Sequence, residues 1–338
     1  MVAKVIRGAI VGASTLLGKE LAEELNNAPS AAWDLTLLDA EDAGGTITAA
    51  GDEALVIQAV SRDAFTGVDV VFFAGEPSTV TEYWRAAQAA GASIVDLTGA
   101  LEGQPGMLVR SPLVEGGAHP DLNTAAEIAA HPAAVMLAMA AAKLIPLGLR
   151  RMAATVLQPA SQAGSAGVDE VHQQTVGLLS FQPLKKEIYA TQVAFNISAS
   201  LGEGAKVNLD ETSKRIRAQI TILAPDLPEP SLAVQLIQAP VFHGYTASVF
   251  VELAHDLKAG VVREALLADD SHLREDESPS NETAVGKGDV LFQVSRAGAA
   301  EGSAFWLWMA ADNLRLAARN AAGCALELVQ LRPMNRVQ

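Results

Sequence analysis

The first residues able to do chemistry lie in a glycine-rich turn. An apolar run, Val5–Val11, leads into Gly12-Ala13-Ser14-Thr15-Leu16-Leu17-Gly18 and then a helical pattern. In such a turn the backbone N–H groups at a helix N-terminus approach a pyrophosphate. The spacing Gly12–Gly18 lacks the middle glycine of the usual dinucleotide fingerprint, and Thr15 stands near that place. Taken alone, the loop reads equally as a nucleotide site and as a plain strand–turn–helix joint. Cys324 is the chain's one cysteine. It excludes an internal disulfide and a Cys-rich zinc site, and leaves a nucleophile to be tested. Its neighbours Ala321, Ala322, Ala325 and Leu326 are small and apolar, the setting of a packing cysteine. The six histidines, His119, His131, His172, His243, His255 and His272, fall at no metal-site spacing. Glu211 and Lys214 are three apart and share one face of a predicted helix, where an exposed ion pair explains them as well as a pocket role does.

These residues need elements to position them. In the first 130 residues, Val5–Val11, Asp34–Leu38, Val68–Phe73 and Ser93–Asp96 read as buried strands, with Lys19–Asn26 and Val80–Ala90 as helices. That alternation predicts a parallel sheet with helices on both faces. After Pro146, Met152–Leu157, Ile188–Phe195, Val234–Ile237 and Ser248–Leu253 read as strands, and Val168–Gln174 and Glu211–Ile222 as helices. Strands outnumber helices there, which predicts an α+β unit with a mostly antiparallel sheet. Asp269–Lys287 is rich in polar residues, Pro and Gly and reads as an exposed loop. Trp306 and Trp308 alternate in a strand, and Asp312–Gln330 reads as one long helix.

The 338 residues carry 39 acidic and 24 basic side chains, a net charge of −15. That balance argues against nucleic acid or an anionic membrane as partner. The N-terminal run reads as a strand rather than a secretory signal. The apolar run Ala133–Ala142 is stopped by Pro132 and Lys143, well short of a bilayer span. The expected location is the cytoplasm.

Several segments, in order, resemble the aspartate-semialdehyde dehydrogenase family: the glycine turn, Val70-Val71-Phe72-Phe73-Ala74-Gly75, Gly91–Thr98, Gln158-Pro159-Ala160-Ser161-Gln162-Ala163-Gly164, Ala194-Phe195-Asn196, Pro240-Val241-Phe242-His243-Gly244 and Asp312-Asn313-Leu314-Arg315. The resemblance implies an α/β fold. A Rossmann-type parallel sheet (residues 1–130 plus 310–338) would carry an inserted α+β dimerisation domain (131–309), with a C-terminal helix returning to the first domain. It implies a homodimer, with Gly12, Ala13, Ser14, Thr15, Leu16, Gly18, Ala74 and Gly75 around a dinucleotide. A small-molecule ligand is an open partner.

The family's chemistry uses a cysteine nucleophile, a histidine base and two substrate-gripping arginines. Here the cysteine segment reads His131-Pro132-Ala133-Ala134-Val135, so Ala134 takes the nucleophile position. The base segment reads Gly244-Tyr245-Thr246-Ala247, so Tyr245 takes the histidine position. His243 lies two residues earlier and would share a side with Tyr245 on an alternating strand. Gln238 stands where one arginine belongs, and Gly99-Ala100-Leu101-Glu102 where the other does. Gln158, Glu211 and Lys214 persist, so the expected pocket is Ala134, Gln158, Glu211, Lys214, Gln238 and Tyr245. At the adenosine end Glu41-Asp42 replace the family's Arg-Ser pair, which favours NAD over NADP, with Asp39 or Glu41 on the ribose; no dinucleotide at all is the third alternative. The joint losses resemble the family's Usg-type homologues and predict a non-catalytic member. The competing reading is an oxidoreductase with altered, non-covalent chemistry around Tyr245.

Overall fold

The computed structural model describes residues 5–29, 31–40, 47–50, 53–114, 116–227, 231–268, 272–298 and 302–331. The chain divides into two compact units. One holds Met1–Pro112, Ala118–His131 and Ala317–Gln338; the other holds Leu113–Gly117 and Pro132–Leu316.

The first unit runs β1 (Val5–Val11), α1 (Leu16–Asn27), β2 (Ala32–Asp39), β3 (Ile47–Ala50), β4 (Glu53–Val56), β5 (Gln58–Ala59), β6 (Val70–Phe73), α2 (Pro77–Ala89), β7 (Ser93–Asp96), β8 (Met107–Arg110) and β9 (Ala126–Ala129). Seven strands form one sheet in the order β5-β2-β1-β6-β7-β9-β8, and β3–β4 pair separately. Every pairing in the large sheet is parallel. Successive strand residues point to opposite faces, so a sheet covered on both sides needs continuous apolar runs. Ile6, Ile10, Val70 and Phe72 pack with Leu21 and Leu25 of α1. Ala9, Val11, Val71 and Phe73 pack with Val80 and Trp84 of α2 on the other face. Helix α2 begins earlier than its apolar pattern, at Pro77, where a missing N–H costs nothing.

The second unit runs α3 (Pro132–Leu144), β10 (Leu149–Gln158), α4 (Gly164–Leu179), α5 (Leu209–Leu223), β11 (Leu232–Gln238), β12 (Tyr245–Leu253), α6 (Ala259–Leu267), β13 (Leu273–Glu275), α7 (Asn281–Ala284), β14 (Val290–Arg296) and β15 (Ala304–Ala311). Its six-stranded sheet has the order β11-β10-β12-β15-β14-β13. The central pairings are antiparallel, while β10–β11 and β13–β14 are parallel. The apolar run Ala133–Ala142 is core helix α3, buried nearly all round and packed against α5, α6 and β10.

Two expectations fail here. Ile188–Phe195 is not a strand: the backbone turns through φ 52° at Ala190 and 58° at Phe195, which an extended chain does not allow. The amides of Ile188, Tyr189, Val193 and Ala194 bond to the side chains of Glu170 and Gln174 instead of to a neighbouring strand. Within Asp269–Lys287, described from residue 272, the chain is not a plain loop. Leu273 is buried in β13, paired parallel with β14, and Ser280 and Thr283 form a capping box that starts α7. The polar composition masked a single buried leucine and a cap.

Helix α8 (Asn313–Leu331) closes the chain. From Ala317 it belongs to the first unit, where Ala318, Ala321, Ala322, Cys324, Ala325 and Leu328 join the cluster of Ile6, Ile10 and Leu21.

Candidate functional site

In the first unit the glycine turn is built by close approach. Gly12 has φ +92°, and a Cβ there would lie 2.3 Å from the backbone N of Gly75. A Cβ on Gly18 would lie 2.2 Å from the carbonyl oxygen of Gly12. Both positions therefore exclude a side chain, for different reasons: one joins the turn to the end of β6, the other seats α1 on the turn. Thr15 is the N-cap. Its Oγ1 accepts from the Gly18 N–H (2.9 Å) and lies within donating distance of the Gly12 and Ala74 carbonyls (2.8 and 3.0 Å). Leu16 and Leu17 are the first two helical residues, whose N–H groups have no intrahelical partner and point out along the helix axis. This cradle, closed to a Cβ and headed by a helix N-terminus, fits a pyrophosphate. Ala74 and Gly75 form its second wall. Asp39, at the end of β2, accepts from the Ser14 N–H at 2.8 Å and from its own neighbour Ala40 at 2.8 Å. The edge of the turn that would meet a ribose is therefore already negative. Glu41 and Asp42 lie outside the described residues.

The turn after β7 is organised by a second carboxylate. Buried Asp96 accepts from the Thr98 N–H and hydroxyl, the Gly99 N–H and the Leu101 N–H. Glu102 follows, partly buried.

In the second unit three strands end in one polar row. The β10–β11 register pairs Gln158 with Gln238, and the β10–β12 register pairs Leu157 with Thr246, which sets Tyr245 beside Gln158. Residues in register point to the same face. Gln158 Nε2 donates to Gln238 Oε1 at 3.1 Å, and Gln238 Nε2 donates to the carbonyls of Gln158 and Ala239, both at 3.1 Å. Gln158 Oε1 is buried without a hydrogen-bond partner. Exposure is 1% at Gln158, 0% at Gln238, 1% at Tyr245 and 0% at Ala134, so solvent reaches none of them. Burial pushes the Tyr245 phenol well above its usual pKa, with Arg215 of α5 pulling the other way.

Other predicted residues separate from this row. Glu211 and Lys214 are exposed on α5 and pair with each other at 2.7 Å, which raises the lysine's pKa. Their neighbour Arg215 carries the charge that acts on Tyr245; residue-by-residue reading missed it because only the helical phase tells it from Lys214. His243 sits in a bend before β12, so strand alternation does not apply to it. Asn313, within the segment Asp312-Asn313-Leu314-Arg315, has an Oδ1 that accepts from Ser161 Oγ (3.1 Å) and the Gly244 N–H (3.0 Å). It fixes the two loops that flank Gln158 and Tyr245. Cys324 is fully buried, with Sγ 3.8 Å from the Arg110 carbonyl. Burial, then the negative charge of Glu127, raises its thiol pKa well above the ordinary value. A thiol so placed is a poor nucleophile. Among the described residues no group of His, Cys, Asp and Glu side chains could hold a metal. Among the described residues, too, no helix is long and apolar enough to cross a membrane.

The chain matches two family descriptions that overlap along its length. "Semialdehyde dehydrogenase, NAD binding domain" covers residues 7–176, and "Semialdehyde dehydrogenase, dimerisation domain" covers 140–316. A USG-1 protein homolog of Azotobacter vinelandii is 31% identical over 96% of this chain and 95% of its own. The aspartate-semialdehyde dehydrogenase of Bacillus subtilis is 28% identical over 96% and 97%. The structure of a probable aspartate-semialdehyde dehydrogenase from Pseudomonas aeruginosa superposes with a TM-score of 0.84 at 27% identity, over 97% of this chain and 99% of that one.

Proposed function

The chain belongs to the semialdehyde dehydrogenase family, and from that premise we propose that it is a member that keeps the fold and the dinucleotide loop without the acyl-transfer reaction. The observation that carries this reading is the closed polar row. Gln158 and Gln238 bond to each other and, with Tyr245 and Ala134, are withdrawn from solvent. Acyl transfer needs a thiolate where Ala134 stands and a base near neutral pH where Tyr245 stands. A methyl group cannot attack a carbonyl carbon. A buried phenol with raised pKa is a weak proton donor, which also counts against altered chemistry at Tyr245. The cysteine elsewhere in the chain is inert by burial.

A nicotinamide dinucleotide is the natural occupant of the glycine turn, and it supplies or accepts a hydride when bound. We favour NAD. The Asp39 carboxylate beside the turn accepts a ribose 2′-hydroxyl and repels a 2′-phosphate. The dimerisation-type domain supports a homodimer. The acidic balance supports neither nucleic acid nor an anionic membrane as partner, and a buried lone cysteine suits a reducing cytoplasm.

The test is direct. Purified protein is mixed with aspartate semialdehyde, phosphate and NADP or NAD, and reduced cofactor is followed by absorbance. No turnover is expected. Turnover proportional to protein concentration overturns the reading. Thermal shifts with each cofactor are expected to show stabilisation by NAD above that by NADP. A flat response to both removes the dinucleotide from the proposal while leaving the loss of chemistry standing.

A further inference from the structure

Two buried amides of the second unit are each held in one orientation, and each has one polar atom left over. Gln238 Nε2 donates to the carbonyls of Gln158 and Ala239. Exchanging its oxygen and nitrogen would set an oxygen against both carbonyls, so its orientation is fixed. Its Oε1 therefore faces Gln158, which answers with Nε2 at 3.1 Å. Gln158 Oε1 is then a committed acceptor on the other branch, with no hydrogen-bond partner in the protein. Asn313 is fixed in the same way. The Gly244 N–H needs an acceptor, and Oδ1 supplies it at 3.0 Å while also accepting from Ser161 Oγ. Asn313 Nδ2 is a committed donor, likewise without a partner in the protein. Both side chains are 1% exposed, so bulk solvent satisfies neither.

The two leftover atoms border one feature. Gln158 ends β10, and the turn after it carries Ser161, which donates to Asn313. That turn is tied to residues 241–244 by bonds from the Ala160 and Ser161 N–H groups to the Val241 and Phe242 carbonyls. A buried polar atom without a partner is costly, and folded proteins keep few of them. The chemistry of a suitable partner follows from the two orientations. It donates to Gln158 and accepts from Asn313. A carboxylate or phosphate only accepts, so its lone pairs would meet those of Gln158 Oε1. Arg215 of α5 acts on Tyr245 through its charge and would favour an anion, but it leaves that contact opposed. Tyr245, beside Gln158 in register, is a neutral phenol that burial keeps from ionising.

We propose that the end of the polar row binds a small uncharged molecule that donates a hydrogen bond to Gln158 Oε1 and accepts one from Asn313 Nδ2, and that the fixed Gln158 oxygen rejects anions. The inference rests on the reading of the row as non-catalytic. The burial of Gln158, Gln238, Tyr245 and Asn313 limits the occupant to a few non-hydrogen atoms. Two sources carry this chemistry: a primary carboxamide, with its N–H and C=O on one carbon, and an internal water. Gln238 is the positioning residue, because its bonds to two carbonyls decide which end of the Gln158 amide is presented.

The experiment titrates the isotope-labelled full chain with propionamide and with propionate, which differ only in an amide nitrogen against a carboxylate oxygen. The side-chain amide resonances of Gln158 and Asn313 are followed by NMR. Propionamide is expected to move both, and to bind about 10-fold or more tightly than propionate, the factor for one hydrogen bond made against one opposed. This comparison needs no variant. Gln158→Met keeps the volume, removes the acceptor and is expected to abolish the preference. If neither compound binds, a long-lived water with nuclear Overhauser contacts to the Asn313 Nδ2 protons assigns the site to water and supports the proposal. Propionate binding as tightly as propionamide, without turnover in the dehydrogenase assay, overturns the proposal alone. So does the absence of both carboxamide binding and a long-lived water. Turnover in that assay overturns the non-catalytic reading and the proposal with it.

Discussion

The glycine turn of the first unit and the polar row of the second occupy corresponding places in their sheets, at the ends of strands. They are built in opposite ways. At the turn, each residue is fixed by what the backbone must do: Gly12 by its positive φ and its contact with Gly75, Gly18 by its contact with Gly12, Thr15 by capping. At the row, Gln158 and Gln238 bond to each other, and both are buried, as is Tyr245. A binding loop made of backbone needs only permissive residues. A catalytic constellation needs particular side chains, and an amide, a phenol and a methyl group can fill the same volume with none of the function.

The comparison can be tested by breaking each side. The largest effect is expected at the turn. Gly12→Val forces a β-branched side chain into positive φ and into the backbone of Gly75, and should cost about 4 kcal/mol or more. Urea unfolding would show it, and NAD-dependent stabilisation should vanish. A loss below about 1 kcal/mol would mean that the turn is not held by this contact.

At the row, the two glutamines should differ although they are partners. Gln238→Leu leaves the Gln158 amide donor without its acceptor and removes two bonds to carbonyls, an expected loss of about 2–3 kcal/mol. Gln158→Leu also deletes an oxygen that has no hydrogen-bond partner, and so should cost less. Equal losses from the two variants would contradict the bonding pattern.

The buried thiol gives a pH test. The folded pKa of Cys324 lies above its unfolded value, so its contribution is full below about pH 8.5, the unfolded range, and falls as pH rises toward the folded pKa. Relative to Cys324→Ala, the wild type should lose up to about 1.4 kcal/mol per pH unit in that window. Parallel stability curves would show that the thiol ionises alike in both states. The smallest effect belongs to the cap. Thr15→Val keeps the shape but loses the bond to Gly18, which should cost about 1 kcal/mol by urea midpoint.

The legible parts of the sequence were those set by local rules. The strands of the first sheet showed as continuous apolar runs because both faces are covered, and β1, β2, β6 and β7 all lie where those runs predicted. The second sheet was less legible. Ile188–Phe195 has β-forming residues, but buried Glu170 and Gln174, on the preceding helix α4, take its amides and bend it. Leu273 and the Ser280 cap were hidden in a stretch whose average is polar. At the site, the residue types at Ala134, Gln158, Gln238 and Tyr245 could be read directly. The inward turn of Arg215, the outward turn of Glu211 and Lys214, and the bridging role of Asn313 could not, since each depends on which face of an element meets a neighbour.

The sequence by itself determined residue identity: an alanine at position 134 and small, apolar neighbours around Cys324 are facts that no folding changes. It also determined the glycine turn, because backbone demands of that kind appear as glycines at fixed spacing. Only the tertiary structure decided that Gln158, Gln238 and Tyr245 form one closed row, and that a strained apolar segment is clamped from beneath by two polar side chains. Those outcomes come from hydrogen bonds between residues tens of positions apart. Their energies depend on burial, and burial is a property of the packed chain rather than of any segment in it.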